Sequence, residues 1–145
     1  MGIWGVEGFA NDEALDWIET LDPSDGIAPV ERELHAVANA PDPHLTAARA
    51  EIALAAAELL AAVGGHPHPA LPPAARRWLE AQHPAEADVG LGIDALVEAT
   101  RALDFVVTSS QLAERWTQRV DERAWRAALD DLRMRLARAG GVPRA

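Results

Sequence analysis

The sequence lacks three residue types on which much enzyme chemistry depends. Cysteine is absent from all 145 residues, which excludes disulfide frameworks, thiolate zinc sites and thiol nucleophiles. Lysine and tyrosine are also absent, so a phosphate-loop lysine, a Schiff base and a phenolic acid are excluded as well. The opening residues carry no basic segment and no long apolar run, so we expect no signal peptide and a cytoplasmic location.

Positive charge is scarce in the first third of the chain. The net charge is −10, and residues 1–45 hold ten acidic side chains against Arg32 alone. Residues 110–145 show the opposite balance, with eight arginines against five acidic side chains. This asymmetry indicates either an acidic docking surface or an attraction between the two ends of the chain, and it argues against nucleic-acid binding.

The longest run that is apolar on nearly every side extends from Thr46 to Val63. A helix that is apolar all round lies inside a fold, so we expect this alanine-rich segment to be the central helix. Thr46 is placed to cap its start, and Gly64 and Gly65 follow where it would stop. Glu58 interrupts the run, which is too short for a membrane span, so no membrane association is expected.

Helical periodicity elsewhere predicts a single compact all-α domain over residues 1–145, with six or seven helices around the central one. Residues 1–10 are expected to form an irregular arm that tucks Trp4 and Phe9 against the domain, and residues 140–145 a frayed tail. The other helices are expected from Asn11 to about Leu21, from about Pro29 to Ala38, from about Pro73 to His83, from Ile93 to Val107, through Leu112 and Trp116 after a break at residues 108–111, and from Asp121 onward.

The N-terminal pattern resembles a known family. The run Gly2-x-Trp4-Gly5, followed by Phe9-x-Asn11-Asp12-x-Ala14-x-Asp16-Trp17, is similar to the opening of a bacterial family, domain of unknown function 4259. The stretch at residues 55–58 and the pattern Trp125-x-x-Ala128-Leu129-x-x-Leu132 resemble its later blocks. The structural motif of the resemblance therefore comprises Trp4, Phe9, Asn11, Trp17 and Trp125. The family has no established activity, so the resemblance indicates related proteins but implies no function for this one.

Three acidic residues on the first predicted helix form the favoured binding face. Asp12, Asp16 and Glu19 are spaced by four and three residues, so they project together, opposite the side expected to pack inward. We therefore expect a non-enzymatic interaction module, of a regulatory or immunity type, whose acidic surface binds a basic protein partner. Neither a metal nor another cofactor is expected.

The alternative is a small hydrolase or metal-dependent enzyme. Glu51 and Glu58 lie two turns apart on the central helix and could hold a metal with Glu80-x-x-His83, although a bundle site of this type wants two such motifs. The simpler interpretation is that the two glutamates face a solvent-lapped edge or pair with arginines, either Arg49 or one near the C-terminus. His35 could form an acid/base pair with Glu31 at a spacing of four residues.

The remaining histidines and arginines favour simpler interpretations. His66 and His68 could chelate a metal with Asp42 and His44, but the central helix, about 27 Å long, separates the two pairs. They are therefore expected to be exposed loop residues. The C-terminal arginines fall roughly on one face but are interleaved with acids, which favours ion pairs on the helix surface over nucleic-acid binding. These arginines are Arg119, Arg123, Arg126 and Arg133.

Overall fold

The computed structural model describes residues 11–39, 45–82, 93–109 and 122–139. These residues form six α-helices and one short 3-10 helix, with no extended strand among them. The α-helices are α1 (Asp12–Glu19), α2 (Ala28–Asn39), α3 (Ala47–Val63), α4 (Pro73–Ala81), α5 (Ile93–Ser109) and α6 (Glu122–Ala139), and the 3-10 helix is Pro23–Asp25. The predicted all-α domain around a central helix is confirmed.

Helix α3 is the centre of the bundle. It contacts each of the other five α-helices, and 13 of its 17 residues are buried. Alanine at most of these positions lets the surrounding helices approach closely, while Leu59 and Leu60 supply fully buried bulk. The predicted helix over residues 46–63 therefore has the expected role, with Thr46 as the N-cap whose hydroxyl accepts a hydrogen bond from the backbone N–H of Arg49.

The end of α3 fixes the position of α6. The backbone N–H of Gly65 bonds to the carbonyl of Ala62 and that of His66 to the carbonyl of Ala61, which is the Schellman pattern. This pattern places Gly65 at a φ of 95°, in the left-handed region that glycine adopts most easily. At Gly64, a Cβ would overlap the Cβ of Ala139. The last turn of α6 therefore packs directly on the backbone where α3 ends.

The helix α5 begins at Ile93 as predicted and ends at Ser109, two residues beyond the predicted end. Its buried face differs from the stripe that the sequence predicts, which consists of Ile93, Leu96, Val97, Thr100, Leu103 and Val107. Val97 is 47% exposed and Thr100 is exposed, whereas Ala99, Ala102, Leu103 and Val106 are buried. Alanines allow α5 to pack closely on α2, its main neighbour, and this closeness decides which face turns inward.

The helix α5 continues through Thr108, where a break was predicted. The hydroxyl of Thr108 donates to the backbone carbonyl of Asp104 at 2.8 Å. The predicted short helix through Leu112 and Trp116 lies outside the described residues, as do the arm at residues 1–10 and the tail at residues 140–145. Among the helices that the structure describes, none is both long and apolar enough to cross a membrane.

Candidate functional site

The acidic face of α1, which comprises Asp12, Asp16 and Glu19, is exposed at all three residues. The side chain of Asn11 accepts a hydrogen bond from the backbone N–H of Ala14 at 2.7 Å, so the predicted N-cap sets the start of the helix. On the opposite side, Ala14 and Ile18 are buried. The predicted division of α1 into an acidic outer face and an apolar inner face is therefore present.

The acidic face has no cationic partner in the part of the chain that the structure describes. No ion pair there involves Asp12, Asp16 or Glu19, and the three arginines of α6 with described ion pairs are paired elsewhere. Arg126 pairs with Glu122, Arg133 with Asp104 and Arg135 with Glu58. The pairing of Arg126 and Arg133 agrees with the prediction of surface ion pairs, while Arg119 lies outside the described residues.

A further exposed acidic residue, Asp22, follows α1. The carboxylate of Asp22 accepts hydrogen bonds from the backbone N–H of Ser24 at 2.9 Å and from its hydroxyl at 2.8 Å. These two bonds, the backbone bond first, lower the pKa of Asp22 below its usual value. Asp22 therefore keeps its negative charge to a lower pH than a free aspartate.

The second feature is a buried ion pair between α3 and α6. The guanidinium of Arg135 donates to both carboxylate oxygens of Glu58, at 2.9 and 3.2 Å, and the two side chains are only 10% and 3% exposed. Arg135 also donates to Asp131 at 2.8 Å and to the backbone carbonyl of His66 at 3.4 Å. The prediction of a partner arginine near the C-terminus is confirmed for Glu58, and the prediction of a solvent-lapped edge is wrong.

Burial and pairing act against each other at Arg135. Burial alone would lower the pKa of Arg135, but the hydrogen bonds and charges of Glu58 and then Asp131 outweigh it and raise the pKa. The spacing of Asp131 and Arg135 in the sequence predicts an i,i+4 ion pair on the exposed side of α6. The pair is present, but Arg135 is buried rather than exposed. Its charge is therefore committed to holding α6 against α3.

The structure does not assemble the metal site that the alternative function would use. Glu51 is buried and interacts with a partner, and Glu58 is held by Arg135, so neither glutamate faces solvent. Glu80 is exposed on α4, while His83, Asp42 and His44 lie outside the described residues. His66 and His68 are half-buried in the loop after α3 rather than exposed. Within the described ranges, no three His, Asp or Glu side chains are grouped to hold a metal ion.

His35 has a different acidic partner from the one predicted. Its Nδ1 lies 2.5 Å from a carboxylate oxygen of Glu98 on α5, whereas Glu31 is exposed and not joined to it. The side-chain amide of Asn39 donates to the same oxygen at 3.0 Å. Since Nδ1 carries the proton that Glu98 accepts, the three side chains form one hydrogen-bonded group that ties α2 to α5.

This group gives the stability of the domain a specific pH dependence. The hydrogen bond from His35 is the main cause that lowers the pKa of Glu98 below its usual 4.5. A carboxyl whose pKa is lower in the folded state stabilises the fold above its unfolded pKa, and this contribution is lost as the pH falls through the folded value. We expect the free energy of unfolding of the native protein to exceed that of Glu98→Gln near neutral pH, and the gap to close below about pH 4.

Urea unfolding at a series of pH values measures this gap. The matched control is Glu33→Gln, because Glu33 is, like Glu98, a half-buried glutamate away from the ends of its helix, and it has no ion pair in the described part of the chain. The control should show no gap that closes with acid. A Glu98→Gln gap that stays constant from pH 7 to pH 3 would show that the contact with His35 contributes nothing to stability.

Three residues of the predicted structural motif lie within the described part of the chain. Asn11 caps α1, Trp17 is half-buried against the core, and Trp125 is 1% exposed in α6, while Trp4 and Phe9 lie outside the described residues. Sequence reasoning missed Glu98 as the partner of His35, since 63 residues separate them and no local pattern joins them. The position of Glu58 in a largely apolar helix did indicate an ion pair, because a buried charge needs a partner of opposite charge.

The comparisons with known proteins identify a family and assign no activity. No curated protein and no solved structure matches the chain significantly. A family model described as "Domain of unknown function (DUF4259)" matches residues 2–128, which is most of the chain. The resemblance inferred from the N-terminal motif is therefore confirmed, and the chain belongs to the DUF4259 family.

Proposed function

We propose that the protein is a non-enzymatic interaction module of the bacterial cytoplasm, regulatory or immunity-type, that binds a basic protein partner through the acidic face of α1. The observation that carries the proposal is the state of Asp12, Asp16 and Glu19. All three are exposed, and no ion pair in the described chain neutralises them. A negative surface of this kind steers a positively charged partner and fixes its orientation.

Two further features support a binding role for this surface. The inner side of α1 is anchored by Ala14 and Ile18, so the acidic face is held on a fixed element rather than on a loose arm. The exposed Asp22, which follows α1, adds a further negative charge near the end of this helix. A partner with a basic helix or loop therefore meets a rigid surface with little positive charge of its own.

Reversing the acidic face tests this proposal. The variant Asp12→Arg with Asp16→Arg should keep its melting temperature within a few degrees of the native protein, since exposed substitutions usually cost under about 0.5 kcal/mol each. Affinity capture from a lysate of the native host, followed by mass spectrometry, should lose the basic partner. Binding of that partner to the native protein should weaken with added salt, because exposed charges are screened.

The control variant carries the same change of charge at a distance from α1. Asp94→Arg with Asp130→Arg replaces one aspartate in the first turn of a helix and one in the middle of a helix, as the test variant does. Both residues are exposed, and neither has an ion pair in the described chain. The control should retain the partner. Loss of the partner from both variants would indicate a dependence on net charge, and retention by both would remove the acidic face from the functional account.

A further inference from the structure

A groove lies between α1 and α4, beside the acidic face. Its volume is about 330 Å³, at the small end of the range of about 300–1,000 Å³ that ligand pockets occupy. The apolar part of its lining comes from α1, the 3-10 helix, the segment between them and α4, and consists of Ile18, Leu21, Pro23, Ala74 and Trp78. A groove of this size suits one bulky side chain with its adjacent backbone, rather than a large cofactor.

The groove is preformed by packing and by one long-range hydrogen bond. Ile18 and Trp78 are each 3% exposed, so its base is part of the core. The side-chain amide of Gln82, directly after α4, donates to the backbone carbonyl of Pro23 at 3.1 Å. This bond holds the 3-10 helix against α4, so an occupant does not have to order the walls when it binds.

The charges at the rim favour a particular kind of occupant. Glu19, a member of the acidic face, and Arg77 both line the groove, are both exposed and are joined to no ion pair in the described chain. Asp16 lies one turn of α1 away from Glu19, so the surroundings are mainly negative. The cationic side chains of a basic segment can form ion pairs with Glu19 and Asp16. The backbone carbonyls of the same segment can accept hydrogen bonds from Arg77, and because they are neutral the acids do not repel them.

Trp78 supplies a second observation in the same place. Its Nε1–H is buried and has no hydrogen-bond acceptor within the described structure. A buried donor without an acceptor is costly, and most tryptophan N–H groups in native cores are bonded. Because this N–H has almost no accessible surface, an occupant of the groove meets the ring of Trp78, and the buried indole N–H reports that contact without bonding to the occupant.

We propose that the groove between α1 and α4 binds a bulky apolar side chain from a basic segment of the partner, with the flanking basic residues on Glu19 and Asp16 and the apolar side chain against the ring of Trp78. This inference rests on the proposed function and specifies the partner's chemistry. It predicts that the partner binds through a basic sequence with a leucine-like anchor, and that charge alone is insufficient.

The test uses defined peptides and the indole N–H resonance of Trp78 in ¹H–¹⁵N correlation spectra. That resonance is assigned by its absence from Trp78→Phe. Acetyl-Arg-Leu-Arg-amide should shift it saturably with a dissociation constant of roughly millimolar order. Acetyl-Arg-Gly-Arg-amide, which keeps the charge and lacks the anchor, should bind about tenfold more weakly or worse, as expected from burial of a leucine side chain. Acetyl-Glu-Leu-Glu-amide should not shift the resonance.

Two variants of α4 locate the site. Ala74→Leu fills the groove and should abolish the shift, whereas Ala81→Leu adds the same side chain at an exposed position of the same helix and should leave the shift intact. The groove is overturned if Trp78 does not respond to the leucine peptide, or if the glycine peptide shifts it equally.

The two proposals fail in distinguishable ways. If the leucine peptide shifts the backbone amide resonances of Asp12 and Asp16 but not the indole resonance of Trp78, binding at the acidic face is supported and binding in the groove is overturned. A Trp78 response that survives Asp12→Arg with Asp16→Arg, in a variant that also retains its captured partner, would keep the groove and overturn the acidic face as the docking surface.

Discussion

Replacing Glu58 with alanine should lower the free energy of unfolding by about 3–5 kcal/mol, because it leaves the guanidinium of Arg135 buried without its main partner. The two side chains are 3% and 10% exposed, so little water reaches the charge that remains. Arg135 would keep only Asp131, whose side chain is 58% exposed, and a distant backbone carbonyl. Chemical denaturation followed by circular dichroism measures the loss.

Two control variants separate the buried pair from its exposed extension. Asp131→Ala removes the solvent-exposed half of the network and should cost under about 1 kcal/mol, as exposed ion pairs usually do. Replacing both buried partners, Glu58→Leu with Arg135→Met, leaves no uncompensated charge and should be much closer to the native stability than Glu58→Ala. If Glu58→Ala costs no more than Asp131→Ala, the pair is not buried as described.

Trp125→Ala should cost about 3–5 kcal/mol through the loss of a large buried aromatic side chain. Trp125 is 1% exposed and is the largest of the fully buried side chains of the described core. The control on the same helix is Met134→Ala, since Met134 is 55% exposed and its truncation should change stability by less than about 0.5 kcal/mol. A loss below about 1 kcal/mol for Trp125→Ala would mean that α6 presents a different face to the core.

The helices could be predicted from the sequence because each has strong local signals. Asn11 and Thr46 have side chains that cap a helix start, and the glycines after α3 form the termination that their position indicated. The face of α5 was harder to predict. Val97 was part of an apolar stripe but is exposed, while Ala99 is fully buried, because close packing on α2 favours a small side chain over a large one.

The features of the candidate site depend on contacts between distant parts of the chain. The acidic face of α1 is local, so its spacing alone predicted that Asp12, Asp16 and Glu19 project together. The groove forms only when α4 lies beside α1, and the partner of His35 comes from α5. A single sequence has no local pattern that reveals contacts between distant residues. Glu58 is a partial exception, because a carboxylate buried in an apolar helix needs a cationic partner.

The position of α3 in the chain has a consequence for synthesis. Its carboxylate at Glu58 meets Arg135 across 77 residues of sequence, and its last turn meets Ala139. At about 5–20 residues per second, the ribosome completes α6 roughly 4–15 s after α3. During that interval the side of α3 that packs against α6 is uncovered, and Glu58 lacks the guanidinium of Arg135. The contacts between α3 and α6 therefore form last, after the contacts of α3 with the four helices that precede α6 in the chain.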